Sequence, residues 1–261
     1  MFKLVIASLL VASTFALPYP FQKSAAVPLL DGRIVGGFPI DIEEIPYQVS
    51  LQFFGSHICG GSIISVNYAV TAAHCTDGST APQLGIRAGS SNRLSGGVVV
   101  PIATIFQHPS YDDWYIDYDI SVLLLGDNGV VLGSTIQPIP LPVQSQPIPG
   151  GVDSLVSGWG TLYEGAGSLP TQLQAVVVPT VTIEECRAAY GASLITDRMM
   201  CAGVPEGGLD ACQGDSGGPL AVDGELIGLV SWGYGCARPN FPGVYASVPA
   251  LRSFITQVTG I

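Results

Sequence analysis

No apolar stretch of this chain runs far before a glycine or a proline interrupts it, and that punctuation decides most of what the chain can fold into. Its 33 Gly and 20 Pro cut the sequence into short apolar or alternating runs. These lie at Gln48–Phe53, Ser62–Ser65, Ala69–Ala72, Val98–Ile105, Ile120–Leu125, Ser154–Gly158, Gln174–Pro179, Leu226–Ser231 and Gly243–Ser247. Each run has the length of a strand and is bounded by turn residues, the pattern of an all-β barrel or sandwich. Helical spacing is confined to the tail, where Leu251, Phe254, Ile255 and Val258 predict a helix over Ala250–Val258. A shorter helical turn is predicted from Thr182, with Glu185 three residues on in capping-box register. The Pro-rich segment Gln137–Pro149 reads as the connection between two halves. A bilayer span needs about 20 apolar residues in sequence, which the punctuation excludes, while 48% hydrophobic residues exclude disorder.

The first residues read as an address. Lys3 precedes the apolar run Leu4 to Val11, and Thr14-Phe15-Ala16 supplies small residues for cleavage, so residues 1–16 are expected to be a secretory signal peptide. Residues 17–33, broken by prolines and ending Leu30-Asp31-Gly32-Arg33, read as a pro-segment, leaving 34–261 as the mature domain of a secreted, extracellular protein. That domain holds 19 acidic residues and six basic ones, all Arg, with no Lys. Clustered positive charge for nucleic acid is missing. The six cysteines in such a chain imply up to three disulfides, with 15 connectivities open. Local pairing, Cys59–Cys75, Cys186–Cys201 and Cys212–Cys236, is the simplest of them. No Cys-x-x-Cys or paired His spacing points to zinc.

Three motifs carry chemistry. Ser216 sits in Gly214-Asp215-Ser216-Gly217-Gly218-Pro219, a tight turn that exposes a hydroxyl and aims backbone N–H groups at a ligand. His74 sits in Thr71-Ala72-Ala73-His74-Cys75, among small residues and beside a cysteine that can lock the backbone. Asp119 opens the apolar strand Asp119-Ile120-Ser121-Val122, which drives its carboxylate inward. A Ser hydroxyl is a weak nucleophile, so it needs a His to take its proton and an acid to orient that His. The order His, Asp, Ser distinguishes one of the convergent solutions to that problem from the others. His57 and His108 read as a core-edge and a loop histidine. Asp117, two residues before Asp119, reads as a surface or supporting acid, and Trp159 and Trp232 read as packing residues, Trp232 being also a candidate lining of the substrate cleft.

With Ile34-Val35-Gly36-Gly37, Ser157-Gly158-Trp159-Gly160, Asp210 to Pro219, Ser231-Trp232-Gly233 and Pro242-Gly243-Val244-Tyr245, these motifs resemble the trypsin zymogens of the chymotrypsin-like serine proteases, in an invertebrate digestive form. The resemblance covers residues 34 to 261. It implies two six-stranded antiparallel β-barrels with the site between them, a C-terminal α-helix, and the local disulfide pairing. It also implies His74 as general base, Asp119 as its partner and Ser216 as nucleophile, following the worked triad of this family. The N–H groups of Gly214 and Ser216 become the oxyanion hole, and Asp210, with Ala211 beside it, becomes the floor of the primary pocket. Gly233 and Gly243 become its walls, Ser231, Trp232 and Gly233 the strand that pairs with substrate. Arg33, Ile34 and Asp215 become the activation residues. Expected partners are protein and peptide substrates, protein protease inhibitors and an activating trypsin-like protease, with no nucleic acid, membrane or cofactor. Ala88 to Val100 contains no Asp or Glu, so no calcium site is expected there, since Ca²⁺ takes carboxylates among its ligands. A non-catalytic binding protein would be expected to lack one of the three groups, and Asp210 argues against chymotrypsin- or elastase-type selectivity.

Overall fold

The structure is a computed structural model and describes residues 34–261; the segments expected to be a signal peptide (1–16) and a pro-segment (17–33), Arg33 included, lie outside the described residues. Two closed barrels follow one another along the chain. The first comprises β2 (Gln48–Phe53), β3 (Ser56–Ile63), β4 (Tyr68–Thr71), β5 (Leu84–Ala88), β6 (Val98–Gln107) and β7 (Ser121–Leu125), closed in the order β2-β3-β4-β7-β6-β5. The second comprises β8 (Asp153–Gly158), β9 (Gln174–Val181), β10 (Met199–Ala202), β11 (Pro219–Val222), β12 (Glu225–Trp232) and β13 (Gly243–Ser247). Its order is β9-β10-β13-β12-β11-β8, with β8 returning to β9. A two-residue strand, β1 (Phe38–Pro39), adds to β9 and ties the start of the domain to the second barrel.

Alternation selects the inward faces. In β5, Leu84, Ile86 and Ala88 are buried while Gly85 and Arg87 are part-exposed, the period-two signature of a half-buried strand. One apolar cluster fills the first barrel around Leu51, Ile63, Ile86 and Leu123, and another fills the second around Val156, Leu220, Ile227 and Tyr245. A third draws on both barrels, with Val70, Ile120 and Val122 from one and Leu226, Leu229 and Ala246 from the other. Leu251, Phe254 and Ile255 of α2 (Val248–Thr259) join that layer, so the predicted apolar face of the tail is the face that packs. The helix starts on Ser247, whose Oγ accepts the Ala250 N–H. The shorter helix α1 (Ile183–Tyr190) starts as predicted from Thr182, whose side chain accepts the Glu185 N–H while Glu185 accepts the Thr182 N–H.

The strands read from sequence are present, several with shifted ends; Gln48–Phe53 and Gly243–Ser247 have the same bounds. The run at Ser62–Ser65 overlaps only the last two residues of a longer strand, β3, which carries Cys59, Gly60 and Gly61 ahead of them. Gln137–Pro149 lies between β7 and β8 and joins the barrels. The three disulfides are Cys59–Cys75, Cys186–Cys201 and Cys212–Cys236. No described helix is long and apolar enough to cross a membrane.

Candidate active site

His74 lies in a single 3-10 turn, Ala73–Cys75, that follows β4. Ala72 and Ala73 are fully buried, which lets the turn press into the protein, and the Cys75–Cys59 bond staples it to β3. Asp119, 1% exposed, immediately precedes the buried Ile120. Its Oδ1 accepts the His74 backbone N–H at 2.9 Å and its Oδ2 accepts Nδ1–H at 2.8 Å. Oδ2 also accepts the Ser231 hydroxyl at 2.6 Å. A carboxylate only accepts, so the imidazole proton sits on Nδ1 and Nε2 is left as a base. The imidazole, about a quarter exposed, remains open to the cleft.

Ser216 belongs to the turn before β11, and the two barrels meet at it. The Gly60 N–H donates to the Ser216 carbonyl at 2.8 Å. A side chain on Gly217 would meet the backbone nitrogen of Ala72 at 2.9 Å, so only glycine lets the His74 turn approach this closely. Within the Ser216 turn, the N–H groups of Asp215, Gly217 and Gly218 donate to Cys212, Val230 and Asp215 carbonyls. Those of Gly214 and Ser216 donate to no partner among the described residues, which leaves two adjacent donors for a developing oxyanion. Gly214 has φ 99°, a conformation side chains disfavour. Ser216 makes no hydrogen bond to His74 among the described residues, where the His74 bonds go to Asp119.

A cavity of about 230 Å³ opens beside Ser216, lined by Asp210, Ala211, Trp232, Gly233 and Gly243 among others. Asp210 is 6% exposed, and its Oδ2 accepts the Ala237 N–H at 2.9 Å. Burial raises its pKa to about 6, with the Ala237 and Ala211 N–H groups pulling the other way. Among the described residues no cation pairs with it. A side chain on Gly243 would meet Asp210 Oδ1 at 2.7 Å, whereas one on Gly233 would meet nothing nearer than 3.6 Å. Gly243 therefore keeps the floor clear. The Tyr245 hydroxyl, buried without a protein partner, is a further polar group on the lining.

Asp215 is fully buried. Its carboxylate accepts N–H groups from Gly160 at 2.7 Å and Cys212 at 2.9 Å. Burial outweighs these bonds and raises its pKa to about 7, with Asp210 adding to the rise. Ile34 is also fully buried, in the cluster that contains Ala211, and the next carbonyl, Val35, accepts the Asp210 N–H at 3.3 Å. The start of the domain thus touches the pocket floor.

Three contacts were not legible in the motifs. Ser231 reaches Asp119 with its side chain because a bulge between Val230 and Trp232 re-aims it. His57 is no idle edge residue: its Nδ1 accepts from Ser50 at 2.8 Å and its Nε2–H donates to the Gly214 carbonyl at 3.0 Å. Burial lowers its pKa to about 4, so it stays neutral near pH 7, although the Gly214 bond opposes the shift. Asp117 lies not on the surface but 8% exposed, paired with Arg198. Trp159 is packed as expected, with its Nε1–H on the Ser91 carbonyl, and Trp232 lines the pocket. The described His, Cys, Asp and Glu side chains close enough to share one ion are Cys59, His74 and Cys75, whose two sulfurs are already bonded to each other.

Comparison with known proteins places this geometry. The trypsin family model matches residues 34–255. Trypsin delta of Drosophila melanogaster is 49% identical over 231 residues, 88% of this chain and 89% of that protein. Trypsin 5G1 of Aedes aegypti is 45% identical over 232 residues, 88% of this chain and 86% of that protein. Hypodermin-B of Hypoderma lineatum is 45% identical over 259 residues, 98% of each. With two closed barrels, three disulfides and this family match over most of its length, the chain belongs to the trypsin family of chymotrypsin-like serine proteases and is a trypsin-like serine endopeptidase.

Proposed function

We propose that the protein is a secreted digestive endopeptidase, made as a zymogen, that cuts after Arg and less well after Lys. The observation that carries this reading is Asp210: a buried carboxylate with no cation among the described residues, lining a cavity that also contains Ser216. Such a group favours a cationic side chain, because an uncharged one would leave it desolvated and unpaired. With that side chain seated, Ser216 attacks the carbonyl and His74 Nε2 takes its proton. Asp119 stabilises the resulting imidazolium, and the Gly214 and Ser216 N–H groups take the oxyanion. His74 then protonates the leaving amine, and water releases the acyl group by the same route. Ser231 to Gly233 pair with the substrate backbone.

In this reading residues 1–16 direct secretion and 17–33 are removed by a trypsin-like protease acting after Arg33. The new α-ammonium on Ile34 supplies the cation that Asp215 lacks among the described residues. A digestive role suits a domain with no Lys whose six Arg side chains all have internal partners, since it offers little to its own active site. Protein protease inhibitors would bind through the same cleft. The test is to cleave after Arg33 and offer Arg, Lys, Phe and Ala esters side by side. Arg should be turned over fastest and Lys next. Faster turnover of Phe or Ala would overturn the reading.

A further inference from the structure

The loop just ahead of Asp119 contains two residues that its position alone does not explain. Ile116 and Tyr118 have φ of 51° and 53°, the left-handed region, which is unfavourable for side-chain residues and most of all for β-branched ones. Such geometry persists where the surroundings over-determine it. Between the two sits Asp117. Its Oδ1 accepts the Tyr118 N–H and the Thr196 hydroxyl, both at 2.8 Å. The Arg198 guanidinium forks onto the same carboxylate, Nη2 to Oδ2 at 2.5 Å and Nε to Oδ1 at 3.3 Å. Burial works against the charged carboxylate, but the Arg198 and Thr196 bonds outweigh it and hold the carboxyl below its usual range.

The arrangement continues outward. Arg198 lies 4.7 Å over the Tyr118 ring, Tyr118 stacks on His108 at 4.6 Å, and His108 meets Phe254 of α2 at 4.7 Å. Thr196 and Arg198 lie just before β10 of the second barrel, whereas Asp117 lies just before β7 of the first. Among the described residues, this is the only ion pair joining the two barrels.

We propose that Asp117 and Arg198 are positioning residues for the reaction, a cross-barrel tether that sets the backbone from which Asp119 reaches His74. The proposal rests on reading Asp119 as the partner of His74. Asp119 must meet the His74 N–H and Nδ1–H at once and is anchored two residues from the tether. Misplacing a catalytic group by about 1 Å costs on the order of 100-fold in rate, so a smaller relaxation of residues 116–118 should lower kcat while leaving the primary pocket, and hence KM, intact. Tyr118, Asp197 and His108 are the other titratable groups beside the pair. Asp197 is engaged by Arg187, and His108 stacks on Tyr118 rather than bonding the carboxylate.

The test uses the full chain cleaved to its activity plateau, with every rate divided by titrated active sites. Asp117→Asn and Arg198→Gln should each lower kcat about tenfold on a short Arg peptide, with KM within about twofold. The double variant, which can form a neutral amide pair in the same place, should recover to within about threefold of wild type. Per-site kcat at the wild-type value in both single variants overturns the proposal, as does a double variant no better than the worse single. Should neither single variant fold, Thr196→Val removes one bond of the same tether; a lowered kcat at unchanged KM supports the proposal, and wild-type kcat overturns it. Ser216→Ala run alongside separates the two claims. Activity retained there overturns the reading of the site and the tether with it, whereas a dead Ser216→Ala beside unimpaired pair variants overturns the tether alone.

Discussion

A small guanidinium or amidinium competitor that fills the primary pocket should lose affinity in acid, by an amount that Asp210 sets. The carboxyl is buried and its pKa raised to about 6 by desolvation, so the empty pocket pays for every ionised state. A cation binds only the ionised form. Its binding is therefore at full strength well above pH 6 and is lost as pH falls through that value. With a pKa near 6, about ten elevenths of the sites are ionised at pH 7 and about one eleventh at pH 5. The inhibition constant should thus rise about tenfold between those two pH values, which is about 1.4 kcal/mol, and about another tenfold by pH 4. Competition against hydrolysis of an Arg ester from pH 4 to 8 gives the constants. An uncharged competitor of the same shape, which gains nothing from the carboxylate, is the control and should not weaken in acid. A flat profile for the cation, or parallel weakening of the neutral analogue, would refute the reasoning.

Three further outcomes are expected. Asp215→Asn should leave protein cleaved after Arg33 at least about 100-fold less active, because breaking one side of a buried ion pair costs about 3–5 kcal/mol; active-site titration of cleaved protein checks it. The Ala211 side chain lines the pocket without offering a hydrogen bond, and one bond to a charged group is worth about 1.5–3 kcal/mol. Arg should therefore exceed Lys in kcat/KM by at least about tenfold, and Ala211→Ser should narrow that ratio by raising the Lys rate, measured on matched peptides. Self-digestion should be slow and indifferent to calcium. Sequence favours Arg93, in a Gly/Ser-rich stretch, as the first nick, but its guanidinium bonds the Pro170 and Leu169 carbonyls and its N–H bonds Thr171. Fragments that appear quickly and are suppressed by calcium would contradict this.

The parts of the fold visible in sequence are those with a clean period or punctuation. The apolar spacing of the tail predicts α2, and the Thr182/Glu185 pair predicts the start of α1. The strands missed from sequence have mixed or weak signals. β5 carries Gly85 and Arg87, β10 is Met-Met-Cys-Ala, and β11 begins on Pro219; none has the run of β-branched residues that marks a strand. They form because neighbours pair with them to close a barrel. At the candidate site, His74, Asp119 and Ser216 each sit in a local motif, so their residue types and order are legible. What is not legible is contact across the fold. Ser231 reaches Asp119 only through a bulge, and His57 reaches Gly214 over 157 positions of sequence. Sequence leaves Asp117 open between a surface and a supporting acid, because the apolar run begins only after Asp119. Asp117 is buried and bonded by Arg198, 81 residues away, and no local pattern marks that partner.

The most direct test of the central claim is a cleavage-site profile on a denatured protein mixture, collected with cleaved wild type and with Ser216→Ala in parallel. Wild type should cut mainly after Arg, to a lesser extent after Lys, and poorly where proline follows, while Ser216→Ala should leave the mixture intact. Cuts concentrated after aromatic or small residues, or the same fragments from Ser216→Ala, would contradict the account.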